Sequence, residues 1–208
     1  MTPPRFFYFD LGNVLVRFDH HRSCRALADL THTSVDTMRE ILFGPQSLQW
    51  DYEAGQIDCG RFCALIRERT GASVDDAQLL EANSAIFWPH VAIVPVTAHL
   101  NAAGFRLGIL SNTCPAHWRY VSQGRYNYLR HGFGVHVLSF EVKAMKPLPC
   151  IYELAAASAG VEPGEIFFTD DRLENVEAAR EAGWQAHHFT TVSGLIEAIR
   201  QTGVRTNL

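Results

Sequence analysis

The chain has 208 residues, 47% of them hydrophobic, which suits one core domain plus a modest insertion. Its formal net charge of −4 offers no basic footprint for nucleic acid. No apolar run approaches the ~18 residues of a membrane span, and Met1-Thr2-Pro3-Pro4-Arg5 lacks the apolar stretch of a signal peptide, so a cytoplasmic protein without a membrane partner is expected.

The first element is an apolar, β-prone run, predicted as a strand over 6–10 that carries Asp10 at its end. Gly12 then lets the backbone turn before a second apolar run ends at Val16. A lone carboxylate at the end of a buried strand is costly to desolvate and needs a cation, hydrogen-bond donors or both. From Asp19 to about Trp88 the periodicity is helical. Helices are predicted over 21–30, 35–43, 57–70 and 75–86, punctuated by Gly44-Pro45, Gly55 and Gly71. Inserted after the first strand, residues 19–88 would form an α-helical cap over the functional end of a sheet. Phe87-Trp88-Pro89 would be the hydrophobic hinge back to a core built from residues 1–18 and 89–208.

Beyond the hinge, helices over 93–103, 148–159, 173–182 and 192–201 alternate with strands over 106–110, 165–168 and 185–189. That alternation predicts an α/β fold with a doubly wound parallel sheet. Residues 122–135, rich in glycine, tyrosine and arginine, read as an irregular loop near the site. Two of these strands end abruptly in polar residues, Ser111-Asn112-Thr113 and Thr169-Asp170-Asp171, and Met145-Lys146-Pro147 opens a helix. Ligands of an open parallel sheet bind outside the carboxyl ends of its strands, so Asp10, Ser111, Asn112, Lys146, Asp170 and Asp171 should converge. Three carboxylates and one lysine do not balance without a divalent metal, and oxygen-only ligands select a hard ion, Mg²⁺. A metal, a lysine and hydroxyl and amide donors make a site for a phosphoryl group.

In order and over nearly the whole chain, four segments resemble the four motifs of the haloacid dehalogenase (HAD) superfamily, whose core is Rossmann-like. They are Phe9-Asp10-Leu11-Gly12-Asn13-Val14, Leu110-Ser111-Asn112-Thr113, Lys146-Pro147-Leu148-Pro149, and Asp170-Asp171 with Asn175 following. Each alone recurs by chance in many chains; the resemblance rests on all four, each where an apolar run ends. The form of the first motif, the cap segment 52–58 and the stretch 110–118 are similar to the small-cap branch that includes α-D-glucose-1-phosphate phosphatase. The resemblance implies a Mg²⁺-dependent phosphatase that hydrolyses a small phosphorylated metabolite, such as a sugar phosphate, through an aspartyl-phosphate on Asp10. It implies phosphate binding by Ser111, Asn112 and Lys146, the lysine also neutralising the nucleophile. Asp10, the Gly12 carbonyl and Asp171 would ligate the metal, with Asp170 sharing the ion or orienting a bound water. Pro147 favours Lys146 over Lys143 as the motif lysine.

One position departs from the usual motif. Most phosphatases of the superfamily carry an aspartate two residues after the nucleophile as general acid and base; here that residue is Gly12. Such help is worth about 10²–10⁴-fold. Either the leaving group is protonated differently, or it needs little protonation, or turnover is lost; the same glycine in the sugar-phosphate phosphatase argues against simple loss. Two other readings stand beside the phosphatase: a catalytically weak or inactive phosphate-binding or interaction protein, and a metal-independent 2-haloacid dehalogenase, which the Asp170-Asp171 pair disfavours. His20-His21 reads as a solvated helix start or a substitute acid, His117 as packing and His187-His188 as structural or surface. Glu174 reads as a helix-start charge and Asn175 as a polar contact under the loop. Cys24, Cys59, Cys63, Cys114 and Cys150, odd in number and scattered, read as free thiols, with Cys59 and Cys63 a core-facing pair and not a zinc site.

Overall fold

The run Phe6–Phe9 (β1) is buried on both faces, and that position accounts for its unbroken apolar sequence. In the computed structural model, which describes residues 2–130 and 132–204, β1 is the central strand of a five-stranded parallel sheet. Val16–Phe18 (β2) and Phe87–Pro89 (β3) form a separate antiparallel ribbon. Arg106–Ser111 (β4), Val135–Leu138 (β5), Ile166–Asp170 (β6) and Gln185–His188 (β7) complete the sheet in the order β5-β4-β1-β6-β7. Phe9 lies opposite Ile109 and Thr169, so Asp10, Ser111 and Asp170 leave the sheet at one end.

Between β2 and β3 run five helices: His20–Thr31 (α1), Val35–Phe43 (α2), Leu48–Glu53 (α3), Cys59–Thr70 (α4) and Asp76–Ser84 (α5). Each starts at a side-chain cap, from Asp19, Ser34, Ser47, Asp58 and Asp75 respectively, which satisfies amides the first turn leaves open. They share a buried cluster of their own, with Leu27, Met38, Tyr52, Phe62 and Leu79 at its centre and Cys114 and Ala116 joining from the sheet side. After β3 come Val94–Ala102 (α6), Pro115–Ser122 (α7), Asn127–Arg130 (α8), Ser139–Val142 (α9), Pro149–Ala159 (α10), Leu173–Glu181 (α11) and Val192–Gln201 (α12). Strand alternation sends Phe7, Phe9, Leu107 and Ile109 to the face covered by α6 and α12. Phe6, Tyr8, Ile166 and Phe168 point to the other face, under α10 and α11. The sheet is therefore doubly wound, as expected.

Three local readings needed correction. Residues 122–135 are not wholly irregular: they contain α8, and Tyr126 and Tyr128 donate hydroxyls to Phe87 O (2.9 Å) and Leu15 O (2.7 Å). Phe87-Trp88-Pro89 is a strand paired with Val16–Phe18, so chain enters and leaves the helical layer through one ribbon. The elements β5, α3 and α7 were not anticipated at all. All five cysteines are free; Cys63 is buried, Cys59 only partly so, and Cys150 is exposed. Among the described residues no helix is long and apolar enough to cross a membrane.

Candidate active site

At the carboxyl end of β1 the Asp10 amide still donates to Thr169 O at 2.9 Å, so the sheet holds the residue's backbone in place. The chain then turns sharply: Val14 N–H donates to Gly12 O (2.7 Å) and Asn13 takes φ 56°, a left-handed conformation that asparagine tolerates. From there Asn13 Nδ2 donates to Asp171 Oδ2 at 2.8 Å, tying the first motif to the fourth. Phe18 closes off the space beside Gly12. A Cβ at position 12 would sit 2.6 Å from Phe18 Cε1, and that ring packs against His20 and Phe87. The aspartate usual at this position is absent, and its space is filled.

Lys146 is the hub. Its Nζ donates to Asp10 Oδ1 at 2.7 Å, Asp170 Oδ2 at 2.6 Å and Leu110 O at 2.9 Å, so all three ammonium protons are used. Its loop is fixed by Asn112, whose Nδ2 donates to Lys146 O and whose Oδ1 accepts from Lys146 N, both at 2.8 Å. Asn112 was expected on the phosphate; it lines the cavity, but most of its amide is engaged in placing the lysine. Burial alone would lower the Lys146 pKa, yet the Asp10 and Asp170 carboxylates outweigh it and hold the ammonium charged. Burial pushes the Asp10 carboxyl up, and Lys146 pulls it back toward the ionised form. Lys143 is exposed and lies outside the cavity.

Oxygen atoms of Asp10, Asp170 and Asp171 all lie within 4.8 Å of one another. Three carboxylates facing one ammonium leave two negative charges unmatched, and an all-oxygen donor set fits a hard dication such as Mg²⁺. The hydrogen bonds separate the aspartates by role. Asp170 is fully buried and saturated: Lys146 Nζ, the Arg172 amide (2.9 Å) and Asn175 Nδ2 (3.0 Å to each oxygen) occupy it. Among the described residues, Asp10 Oδ2 and Asp171 Oδ1 accept no hydrogen bond, which leaves them for a metal or substrate. Gly12 O keeps one lone pair beyond its bond to Val14. Asn175, read as a contact under the loop, is what orients Asp170, while Glu174 stays outside, paired with Arg172.

Above these groups is a cavity of about 180 Å³. Asp10, Ser111 and Lys146 line its floor, and Trp50, Glu53 and His20 from the helical layer line its roof. His20 is held between the rings of Phe18 and Phe43, and burial lowers its pKa, while His21 is exposed beside Arg25. His117 also lines the cavity, but its Nε2 lies 3.1 Å from Asn83 O and burial takes its pKa down to about 3. His188 is structural, with Nε2 2.9 Å from Asp171 O. Sequence reasoning did not single out Asn13, Trp50, Glu53 or Arg172; the available signals were the asparagine following Gly12 and the 52–58 segment itself.

Comparisons with known proteins place the chain in a family. The sequence pattern of the haloacid dehalogenase-like hydrolases matches residues 5–183. Glyceraldehyde 3-phosphate phosphatase of Methanopyrus kandleri is 32% identical over 98 residues, a stretch that takes in 46% of this chain and spans 40% of that relative's length. A HAD family enzyme from Bacteroides thetaiotaomicron, solved in complex with magnesium and inorganic phosphate, is 25% identical, with 92% of this chain and 98% of that one covered at a TM-score of 0.80. L-2-haloacid dehalogenase from Xanthobacter autotrophicus, 19% identical with 93% and 81% covered at a TM-score of 0.63, shares the fold. The family match begins just before β1, ends just after α11, and so contains every residue of the Asp10–Lys146–Asp170–Asp171 cluster: the chain belongs to the haloacid dehalogenase-like hydrolases.

Proposed function

We propose that this protein is a Mg²⁺-dependent phosphatase that hydrolyses a small phosphate monoester, a sugar phosphate by class, through an aspartyl-phosphate on Asp10. The observation that carries the reading is the Lys146 bridge between Asp10 and Asp170, with one oxygen each of Asp10 and Asp171 left without a hydrogen bond among the described residues beside the cavity. Asp10, Asp171 and the Gly12 carbonyl would hold the ion, which supplies positive charge opposite the phosphoryl oxygens. Asp10 attacks phosphorus, Lys146 keeps it ionised before attack, and the Ser111 hydroxyl binds a phosphoryl oxygen. Residues 19–88 act as a cap that excludes water and selects the leaving group. Trp50, 53% exposed at the cavity, offers a face for a sugar ring. The Methanopyrus relative's name and the magnesium and phosphate in the Bacteroides structure support the same chemistry.

One observation favours a second reading, phosphate binding without turnover: Phe18 occupies the space of the customary acid. A panel of phosphate monoesters assayed with Mg²⁺ and with EDTA separates the readings. Phosphate release that EDTA abolishes is expected. Phosphate binding without turnover on any member of the panel would establish the second reading, and metal-independent halide release from 2-haloacids would establish a dehalogenase.

A further inference from the structure

Accepting the phosphatase reading above, a proton still has to reach the leaving oxygen, and position 12 does not supply it. Apart from the metal-binding aspartates and the cations Lys146 and Arg172, three acid–base side chains line the cavity: His20, His117 and Glu53. Both histidines are held neutral by burial, His117 also by the nearby His20 and against the opposing pull of the Asn83 carbonyl, so neither carries an acidic proton near neutral pH. Glu53 differs. It ends α3, and its Oε1 accepts from Gln49 Nε2 at 2.7 Å, while Oε2 has no partner among the described residues.

The segment bearing Glu53 is pinned to the phosphate-binding loop. Ser139 Oγ lies 2.6 Å from Glu53 O and accepts the Thr113 amide at 2.9 Å, so one hydroxyl joins the glutamate's backbone to the residue that follows Ser111 and Asn112. Two residues on, Gly55 adopts φ 67° and presses so closely on α9 that a Cβ there would lie 2.3 Å from Phe140 O. Such docking holds the backbone of Glu53 against the loop that carries Ser111 and Asn112, with the residue lining the cavity that Asp10 also lines.

We propose that Glu53 is the general acid and base of this site, taking the place of the aspartate absent at position 12. As Asp10 forms its bond to phosphorus, the bond to the leaving oxygen breaks and that oxygen takes the Glu53 proton, giving an alcohol, aspartyl-phosphate and Glu53 carboxylate. Water then attacks phosphorus, its proton passes to Glu53, and the Asp10–phosphorus bond breaks to release inorganic phosphate. Burial, the dominant influence, raises the Glu53 pKa to about 7, opposed by the Gln49 hydrogen bond and by Arg172. Cys114, from the sheet side, also interacts with it. A carboxyl with that pKa is populated in both forms near neutral pH, the protonated form serving as acid in the first step and the carboxylate as base in the second.

The test is Glu53→Gln, which keeps an oxygen for Gln49 to donate to but has no proton to exchange. With Mg²⁺ present, kcat/KM for a sugar 6-phosphate should fall about 10²–10⁴-fold, and far less for 4-nitrophenyl phosphate, whose leaving group needs little protonation. Turnover of the aryl ester should show a burst, because dephosphorylation has lost its base. The fall of wild-type kcat/KM on sugar phosphates as pH rises through about 7 should vanish in the variant. Equal losses on both substrates, or no loss, in a variant that binds inorganic phosphate as the wild type does would overturn the role of Glu53 alone. A wild type that turns over no monoester would overturn the phosphatase reading, and the role of Glu53 with it.

Discussion

Replacing Lys146 with methionine keeps the length of the side chain and deletes the ammonium, and the structure sets the size of the loss. Three hydrogen bonds disappear, two of them to carboxylates whose side chains are 11% and 0% exposed. Removing one partner of a buried ion pair costs about 3–5 kcal/mol, because the remaining charge stays desolvated. The two carboxylates do not suffer equally. Asp170 keeps the Arg172 amide and the Asn175 side chain, whereas among the described residues Lys146 is the one side chain that donates to Asp10. At about 2–4 °C per kcal/mol for a chain of this size, Tm in EDTA should fall by about 6–20 °C. Lys146→Met with Asp170→Asn should recover part of that loss, since the second substitution removes a charge the first left unpaired. Added Mg²⁺ should stabilise Lys146→Met more than it stabilises the wild type, because three carboxylates without the lysine attract a dication more strongly. Chemical denaturation with and without EDTA measures both effects. A single variant within about 1 kcal/mol of the wild type in EDTA would refute the picture of Lys146 as the charge that holds this site together.

Asn13→Ala removes the bond to Asp171 and forces a left-handed φ on a residue that resists it, so stability should drop by about 1–2 kcal/mol. Mg²⁺ affinity, read by calorimetry, should drop about 10–100-fold; an unchanged affinity would mean that Asp171 does not depend on this tether. Gly12→Asp should not restore the customary acid by itself, because its Cβ meets the Phe18 ring at 2.6 Å; it should cost about 1–3 kcal/mol and rescue Glu53→Gln only when combined with Phe18→Ala. Rescue by Gly12→Asp alone would show that the ring yields. Glu53 is an acid whose folded pKa, about 7, exceeds its ordinary 4.5, so the folded state binds the extra proton between these values and stability declines as pH rises through them. Glu53→Gln should therefore match the wild type below about pH 4.5 and exceed it above pH 7, by at most about 3 kcal/mol; a difference independent of pH would contradict the burial of this carboxyl.

Much of the chemistry was legible because it is local. Asp10, Ser111 and Asp170 each end an apolar strand, and parallel register alone brings them to one edge. Lys146 was recognisable from Pro147 and its place before α10. What escaped depends on contacts distant in sequence or on elements too short to show a period. Six residues, Leu48–Glu53, give less than two helical turns, so α3 and with it Trp50 and Glu53 stayed hidden. β5 is an edge strand of four residues behind Gly132 and Gly134, with His136 exposed, and it reads as loop until β4 is placed beside it. The Phe18 ring reaches Gly12 only because β2 pairs with β3 across the whole helical insertion. Nothing within five residues of Ser139 announces that its hydroxyl joins Glu53 to Thr113.

The central claim is that phosphate passes through Asp10, and acid-quenching the enzyme during turnover of 4-nitrophenyl phosphate with Mg²⁺ tests it most directly. Tandem mass spectrometry of the quenched protein should place one phosphoryl group on Asp10, in an amount that rises in Glu53→Gln and disappears in Asp10→Asn and in EDTA. A phosphoryl group on any other side chain, or steady turnover by Asp10→Asn free of deamidation, would contradict the account.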